Sequence, residues 1–270
     1  MIEANGNLYK LALVDTCIIS EFIKQRGQSF SKKLILKFCE DSIPSFSIQT
    51  FKELKFVPDL YDEFFSIFRS FPSLVMKDHE KIYEEELSYY EEKRQINPGL
   101  TNLFNNPFSK ENLDIKKVME LLYTPEMQKK FENDKSIILE GILSLKKNYP
   151  AKNQRYTKKE IEEFVESAVL TQLVLRNREW VQKKLDREKV IEIDRFPSLK
   201  IMAYVIFYKF YISDRKPQLS DVPDILMASL YPYIDVVLLE KNQAEMIRQI
   251  QTRHSFCTQL EVHTMRDFRD

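Results

Sequence analysis

The sequence predicts an α/β fold, with a central parallel sheet flanked by helices on both faces and a large helical insertion in mid-chain. Three observations carry that expectation. Leu11, Ala12, Leu13 and Val14, and far along the chain Val236, Val237, Leu238 and Leu239, are short uninterrupted apolar runs, as expected of strands buried on both faces. Segments with helical spacing alternate with such runs near both ends of the chain, the order that builds a parallel sheet. Between residues 96 and 194 the strand signals stop, and charged residues alternate with apolar ones at helical spacing. The chain therefore divides into a first core part at 1–95, a helical insertion at 96–194 and a second core part at 195–270.

The elements follow in order. After the first strand, residues 16–25 read as a helix closed by Gly27, and 31–40 as an amphipathic helix with Leu34, Ile35 and Phe38 on one face. Ile43 to Phe46 reads as a brief strand or turn. Ser47 is placed to cap a helix running through Thr50, Glu53 and Leu54, which stops before Pro58. A phenylalanine-rich helix is expected at 59–69, a strand at 73–76 and an acidic, tyrosine-containing helix at 79–94. Asn97-Pro-Gly99 and Asn105-Asn-Pro107 are loop signals. Within the insertion, helices are expected at 113–122, 125–147 and 157–189, the last opened by a Thr157/Glu160 capping box. An apolar helix at 199–212, an acidic helix start within 218–230, a strand at 235–239, a helix at 243–251 and a closing strand at 259–263 complete the pattern.

Composition bounds the function. Of 270 residues 43% are hydrophobic and 30% charged, which is ordinary globular composition. Lysine plus arginine equals aspartate plus glutamate at 41 each, so no whole-molecule basic field draws in nucleic acid. Any such site rests on local clustering, or on metal ions that invert the sign of an acidic pocket. Cys17, Cys39 and Cys257 are too far apart in sequence for a zinc ribbon and read as reduced buried thiols. The polar start of the chain carries no signal-peptide pattern, and no apolar run approaches the ~20 residues that span a bilayer; a cytoplasmic protein with no membrane partner is expected. His79, His254 and His263 form no ligand spacing and read as surface or core residues. With only four glycines the chain holds no GxGxxG, no P-loop and no GxSxG elbow, which excludes nucleotide-cradling loops and hydrolase nucleophiles of that kind.

The carboxylates remain. Asp15 stands directly after the first buried run, at the carboxyl end of a strand, where open α/β sheets bind ligands. Asp221 and Asp224 lie three apart across a helix start and can share a face. Glu53 interrupts an otherwise apolar helix. Each has a structural reading as well: caps for Asp15, Asp221 and Asp224, and a solvated side chain for Glu53. Converging acids without basic partners would repel each other unless a divalent cation neutralised them. Oxygen ligands with few histidines point to Mg²⁺ or Mn²⁺ rather than zinc.

Three phrases carry a family resemblance. LALVDTCIISEF at 11–22, SFSIQTFKEL at 45–54 and SDVPDILMASLYPYIDVVLLEKNQ at 220–243 resemble, in order, the motifs of PIN-domain nucleases. The resemblance covers 1–95 and 195–270. It implies a PIN-like three-layer fold and a metal-dependent endoribonuclease that hydrolyses RNA phosphodiesters at an Mg²⁺ or Mn²⁺ site. By it, Asp15, Glu53 and Asp224 are metal ligands and Asp221 a fourth. The last motif departs from the family pattern, which often places threonine and then aspartate after the final buried strand. Here Glu240 stands there, able to supply the carboxylate, with Lys241 and Asn242 able to contact phosphate. Asp235, which opens that strand, reads as structural. A toxin or defence effector is one role the resemblance allows, and dimerisation is common among such proteins.

Basic residues cluster in the insertion, Lys146, Lys147, Lys158 and Lys159 among them, with Tyr149, Tyr156 and Trp180 interleaved. They suit an RNA-guiding surface with stacking aromatics, or else a solvated helix face laced with glutamates. Two further classes stay open: a catalytically inactive PIN-like scaffold that uses the insertion for protein contacts, and a plain helical interaction protein with no central sheet.

Overall fold

The computed structural model describes residues 2–4, 6–69, 71–92, 96–103, 116, 117, 120, 124–152 and 155–269. The expected helix at 113–122 and the Asn105-Asn-Pro107 loop lie largely or wholly outside them. The chain opens with a hairpin, β1 (Ile2–Ala4) antiparallel to β2 (Asn7–Val14), with Gly6 at φ +76° in its turn, a conformation open to glycine at little cost. Then follow α1 (Thr16–Lys24), α2 (Ser29–Glu40), β3 (Ser42–Phe46), α3 (Ile48–Lys55), α4 (Pro58–Phe68), β4 (Leu74–Met76), α5 (His79–Glu92) and β5 (Gly99–Asn102). The insertion contributes α6 (Pro125–Asn148) and α7 (Lys158–Glu188), and the chain closes with α8 (Pro197–Phe207), α9 (Val222–Ala228), β6 (Val236–Leu239), α10 (Lys241–His254) and β7 (Glu261–Thr264).

The strands run in the order β5-β4-β3-β2-β6-β7, with β1 added beside β2. Pairs β3/β4, β2/β3, β2/β6 and β6/β7 are parallel; only β4/β5 and β1/β2 are antiparallel. A mostly parallel sheet excludes the plain helical protein. Both faces of the sheet are covered. Leu11 and Leu13 of β2 and Val237 and Leu239 of β6 pack with α5, α7, α8 and α10, while Ala12, Val14, Val236 and Leu238 pack with α1 to α4. This alternation, with apolar residues on each face, is why the runs read as continuous rather than periodic. The second layer is dominated by phenylalanine: Phe46 meets Phe64 and Phe68 at 4.8 Å each, close to the tilted and edge-on geometry aromatic pairs favour.

Several boundaries differ from the sequence expectation. The strand expected at 11–14 starts at Asn7, because β1 extends it by a hairpin. Strand β5 joins the sheet edge from within 96–194, so the sheet reaches into the stretch read as purely helical. The helix expected at 199–212 is α8 followed by a π turn, Tyr208–Ile212, in which the Ser213 N–H donates to the Tyr208 carbonyl at 3.1 Å. A 3₁₀ turn, Leu219–Asp221, precedes α9. The Thr157/Glu160 capping box forms as expected, and α7 kinks at Asn177. Asp235 is structural: its Oδ2 accepts from the Leu11 N–H at 2.9 Å.

The insertion shares the core. Ile142 of α6 and Ile161, Val165, Val169 and Leu173 of α7 are buried with Ile201, Val205 and Phe207. Glu162 on α7 accepts from the Tyr204 hydroxyl at 2.6 Å and pairs with His254 Nδ1 at 2.6 Å, while His254 Nε2 lies 3.0 Å from the Tyr208 hydroxyl. His254 is thus a core residue with every ring nitrogen satisfied. On α5, Glu86 is fully buried; it accepts from the Ser198 N–H at 2.6 Å and hydroxyl at 2.5 Å, and from the Tyr233 hydroxyl. Burial pushes its carboxyl up to about 7. No helix among the described residues is long and apolar enough to cross a membrane.

Ser47 caps α3 as expected, its hydroxyl accepting from the Thr50 N–H at 3.1 Å. That bond orients the helix carrying Glu53. Ser47→Ala is expected to cost about 1 kcal/mol, read as a lowered urea midpoint with an unchanged slope.

Candidate functional site

The chain leaves β2 for β3 and β4 on one side and returns through β6 to β7 on the other. The carboxyl ends of β2 and β6 therefore form the switch point where a crevice opens in such sheets. Asp15 follows β2 and its N–H donates to the Leu238 carbonyl of β6 at 3.1 Å, so it sits at that switch point. It does cap α1: Oδ1 accepts from the Thr16 N–H at 2.7 Å. Its Oδ2 accepts from the Cys17 thiol at 2.9 Å. The capping and site readings are compatible, because the cap leaves lone pairs on the same carboxylate.

Asp15 is only 8% exposed. Burial above all, with the negative charges of Asp224 and Glu53 adding to it, pushes its carboxyl up to about 7 against the help of the Cys17 and Thr16 bonds. Glu53 is likewise raised, by burial and then by Asp224, while the Thr16 hydroxyl that donates to it acts in the opposite sense. The packing explains the meeting. Helix α9 packs against both α3 and α6, which brings Asp224 from the first turn of α9 towards Glu53. Three acids distant in sequence thus act on each other electrostatically. Glu240 follows β6 and is exposed beside them, its charge felt by Cys17; no partner engages its carboxylate among the described residues.

Asp221 is placed differently. It is 1% exposed, and its carboxylate is held by Lys209 at 3.1 Å, Arg215 at 2.8 Å and the Gln218 N–H at 2.8 Å. Asp224 shares Lys209, at 2.5 Å. Among the described residues no cation bonds to Asp15 or Glu53, although the charge of Lys135 acts on Glu53 in the lowering sense; Asp221 and Asp224 do have basic partners, against the expectation of acids without them. Lys209, Arg215, Cys17, Thr16 and the wholly buried Tyr231, whose phenol is raised well above its ordinary value by burial and by Asp15 and Asp224, are neighbours that sequence reading does not single out. Of these, Thr16 and Cys17 adjoin Asp15 and are within reach of it; the others depend on tertiary contacts.

Among the described residues no three His, Cys, Asp or Glu side chains stand close enough to form a ready-made metal cage. The donor chemistry nonetheless suits a hard divalent ion: oxygen-only, anionic, and with two carboxyls raised by burial and mutual charge. Such an ion would draw Asp15, Glu53 and one oxygen of Asp224 together.

The basic residues of the insertion divide into two groups. Lys146 lies 3.2 Å from Asp214 and 3.1 Å from the Arg215 carbonyl, next to the Asp221 pairing. Lys147, Lys158 and Lys159 are exposed, Lys159 in a loose pair with Glu163 at 3.7 Å. Tyr156 packs on Phe207 at 4.9 Å and Trp180 on Tyr90 at 5.3 Å, its indole N–H donating to Glu91. These two rings serve the interior, and of the three aromatics expected to stack on bases only Tyr149 is exposed. The cysteines are free; Cys257 is buried as expected, whereas Cys17 is half-buried and Cys39 exposed.

These features define a doubly wound α/β protein with carboxylates gathered at its switch point. No family model, no curated protein and no solved structure matches the chain.

Proposed function

We infer that the protein is a metal-dependent endoribonuclease of PIN-like type, with Asp15, Glu53 and Asp224 as the ligands of an Mg²⁺ or Mn²⁺ ion and Glu240 at the rim. The supporting observation is that the buried carboxyl of Asp15 and the half-buried ones of Glu53 and Asp224 come near one another at the switch point, with Asp15 pushed up to about 7 by burial first and then by the other two charges. When bound, such an ion activates water and stabilises the leaving oxygen of a phosphodiester. The chain's own part is to hold the acids: Thr16 donates to both Asp15 and Glu53, and Lys209 fixes Asp224. The test is incubation of the purified protein with labelled RNA and Mn²⁺ or Mg²⁺, beside an EDTA control. Cleavage that appears only with the metal supports the reading, and none under any metal condition sinks it.

Lys146, Lys147, Lys158 and Lys159 are proposed to grip the RNA backbone. Reversing their charge is expected to weaken RNA binding and to flatten its salt dependence by about one unit of slope for each phosphate that is no longer neutralised.

A second reading, a PIN-like scaffold without catalysis, is favoured by one feature: Lys209 and Arg215 already neutralise the α9 acids. In that case the insertion is the contact surface, and Leu170, Val174 and Leu175 of α7, the last 74% exposed, are the residues to meet a protein partner or a second copy. If the lysine reversals leave RNA affinity untouched while Leu175→Asp changes the mass seen by light scattering, that reading prevails.

A further inference from the structure

The charges around the switch point are compensated unevenly. Among the described residues the groups that bond to Asp15 and Glu53 are neutral, the Thr16 N–H and hydroxyl and the Cys17 thiol, and the charge of Lys135 reaches Glu53 without a bond. Asp221 and Asp224 receive cations. The ammonium of Lys209 lies 2.5 Å from Asp224 Oδ2 and 3.1 Å from Asp221 Oδ1, and the Lys209 side chain is only 12% exposed. Arg215 adds its guanidinium to Asp221 Oδ1 at 2.8 Å. Lys209 stands on the π turn Tyr208–Ile212. Single π turns within helices are rare and re-aim the side chains they carry, which is why they recur at functional sites.

In a two-ion phosphodiesterase site the ions sit ~3.5–4 Å apart and clamp the attacking and leaving oxygens. A carboxylate between two such ions offers one oxygen to each. Here one oxygen of Asp224 is bonded to an ammonium that also bridges to Asp221, as a second ion would. A divalent ion entering there would have to displace a partly buried lysine from two acids at once.

We propose that Lys209 occupies the place of a second ion, so that the protein binds a single divalent cation between Asp15, Glu53 and the remaining oxygen of Asp224. Lys209 is a positioning residue that acts through Asp224. This rests on the metal reading given above. It also orders the acids by role: Asp15 and Glu53 serve the ion, Asp221 serves Lys209, and Asp224 serves both.

The test is a titration of the full chain with Mn²⁺, the free ion being counted by its electron paramagnetic resonance signal. Wild type and Lys209→Arg are expected to take up one ion per chain. Lys209→Gln, which keeps most of the reach but removes the charge, is expected to take up two, and Asp15→Asn to lose the first. At saturation, wild type should give the spectrum of an isolated Mn²⁺ without exchange coupling to a neighbour. Two ions or a coupled spectrum in wild type overturns the proposal and leaves the metal reading standing, a result that does not depend on any variant folding. One ion in a folded Lys209→Gln overturns it equally. No ion on any of the chains overturns the proposal and the metal reading together.

Discussion

Asp15→Asn is expected to lower metal-dependent RNA cleavage about a thousand-fold or more, equivalent to ~4 kcal/mol of lost transition-state stabilisation, while the metal-free protein melts at a higher temperature than wild type. Both effects come from one carboxylate. The amide keeps the size of the side chain and its oxygen can still accept from the Thr16 N–H, so α1 stays capped, while its NH2 takes the place of the oxygen that accepts from the Cys17 thiol. It removes the charge that a cation needs, and that Glu53 and Asp224 oppose when no cation is present. A residue that served only as a cap would show no such divergence, because replacing it would lower stability and leave metal dependence alone. Glu53→Gln should behave in the same way, the Thr16 hydroxyl still finding an oxygen on the amide. Single-turnover cleavage and thermal melts in EDTA decide the matter. Wild-type rates in both variants would place the activity elsewhere.

The contrast between Asp15 and Lys209 shows what the sequence can carry. Asp15 is legible because its position depends on local facts: an apolar run too continuous for a half-exposed strand, ended by an acid. Ser47 and Thr157 are legible for the same reason, each cap being set by the three residues that follow it. Lys209 is not. Its place depends on a π turn that leaves no pattern in the run YVIFYKFYI, and on two acids 12 and 15 residues further on, brought back by the packing of α8 on α9. The same holds for Asp221, which sequence spacing puts on one face with Asp224. The two do share a partner, Lys209; what spacing leaves out is the partner itself. Tyr156 and Trp180 resemble stacking platforms because they stand among lysines and arginines, yet each turns inward at a half-buried position of an amphipathic segment. The opening hairpin is a different case. Asn5-Gly6 is a strong turn signal, but a strand defined by its apolar run begins only at Leu11, four residues into β2.

Between about pH 4 and 8 the metal-free protein is expected to be weakened by Asp15, and Mn²⁺ is expected to reverse that loss. The sign follows from the direction of the shift. A carboxyl raised from 3.8 to about 7 holds its proton in the folded state over a range where the unfolded chain has already released it. Its contribution is fully present below the unfolded value and fades as pH rises through about 7. For Asp15 this amounts to ~4 kcal/mol at most. Glu53 acts in the same direction, and so does Glu86, raised to about 7. His254, lowered by burial, acts in the opposite sense and gains stability for the fold as pH rises through its unfolded value near 6.5. Comparison with variants separates these. Asp15→Asn should lose part of the decline seen in EDTA, and Glu86→Gln another part. The Asp15 part should respond to metal, together with that of Glu53, and the Glu86 part should not, because Glu86 is satisfied by Ser198 and Tyr233. The stabilisation conferred by Mn²⁺ should therefore be small at pH 5, where the ion competes with a proton on Asp15, and should grow towards pH 8. In Asp15→Asn it should stay small throughout. Melting curves at three pH values, with EDTA and with Mn²⁺, measure this directly. A metal effect that is equal at pH 5 and pH 8, or unchanged in Asp15→Asn, would remove Asp15 from the site.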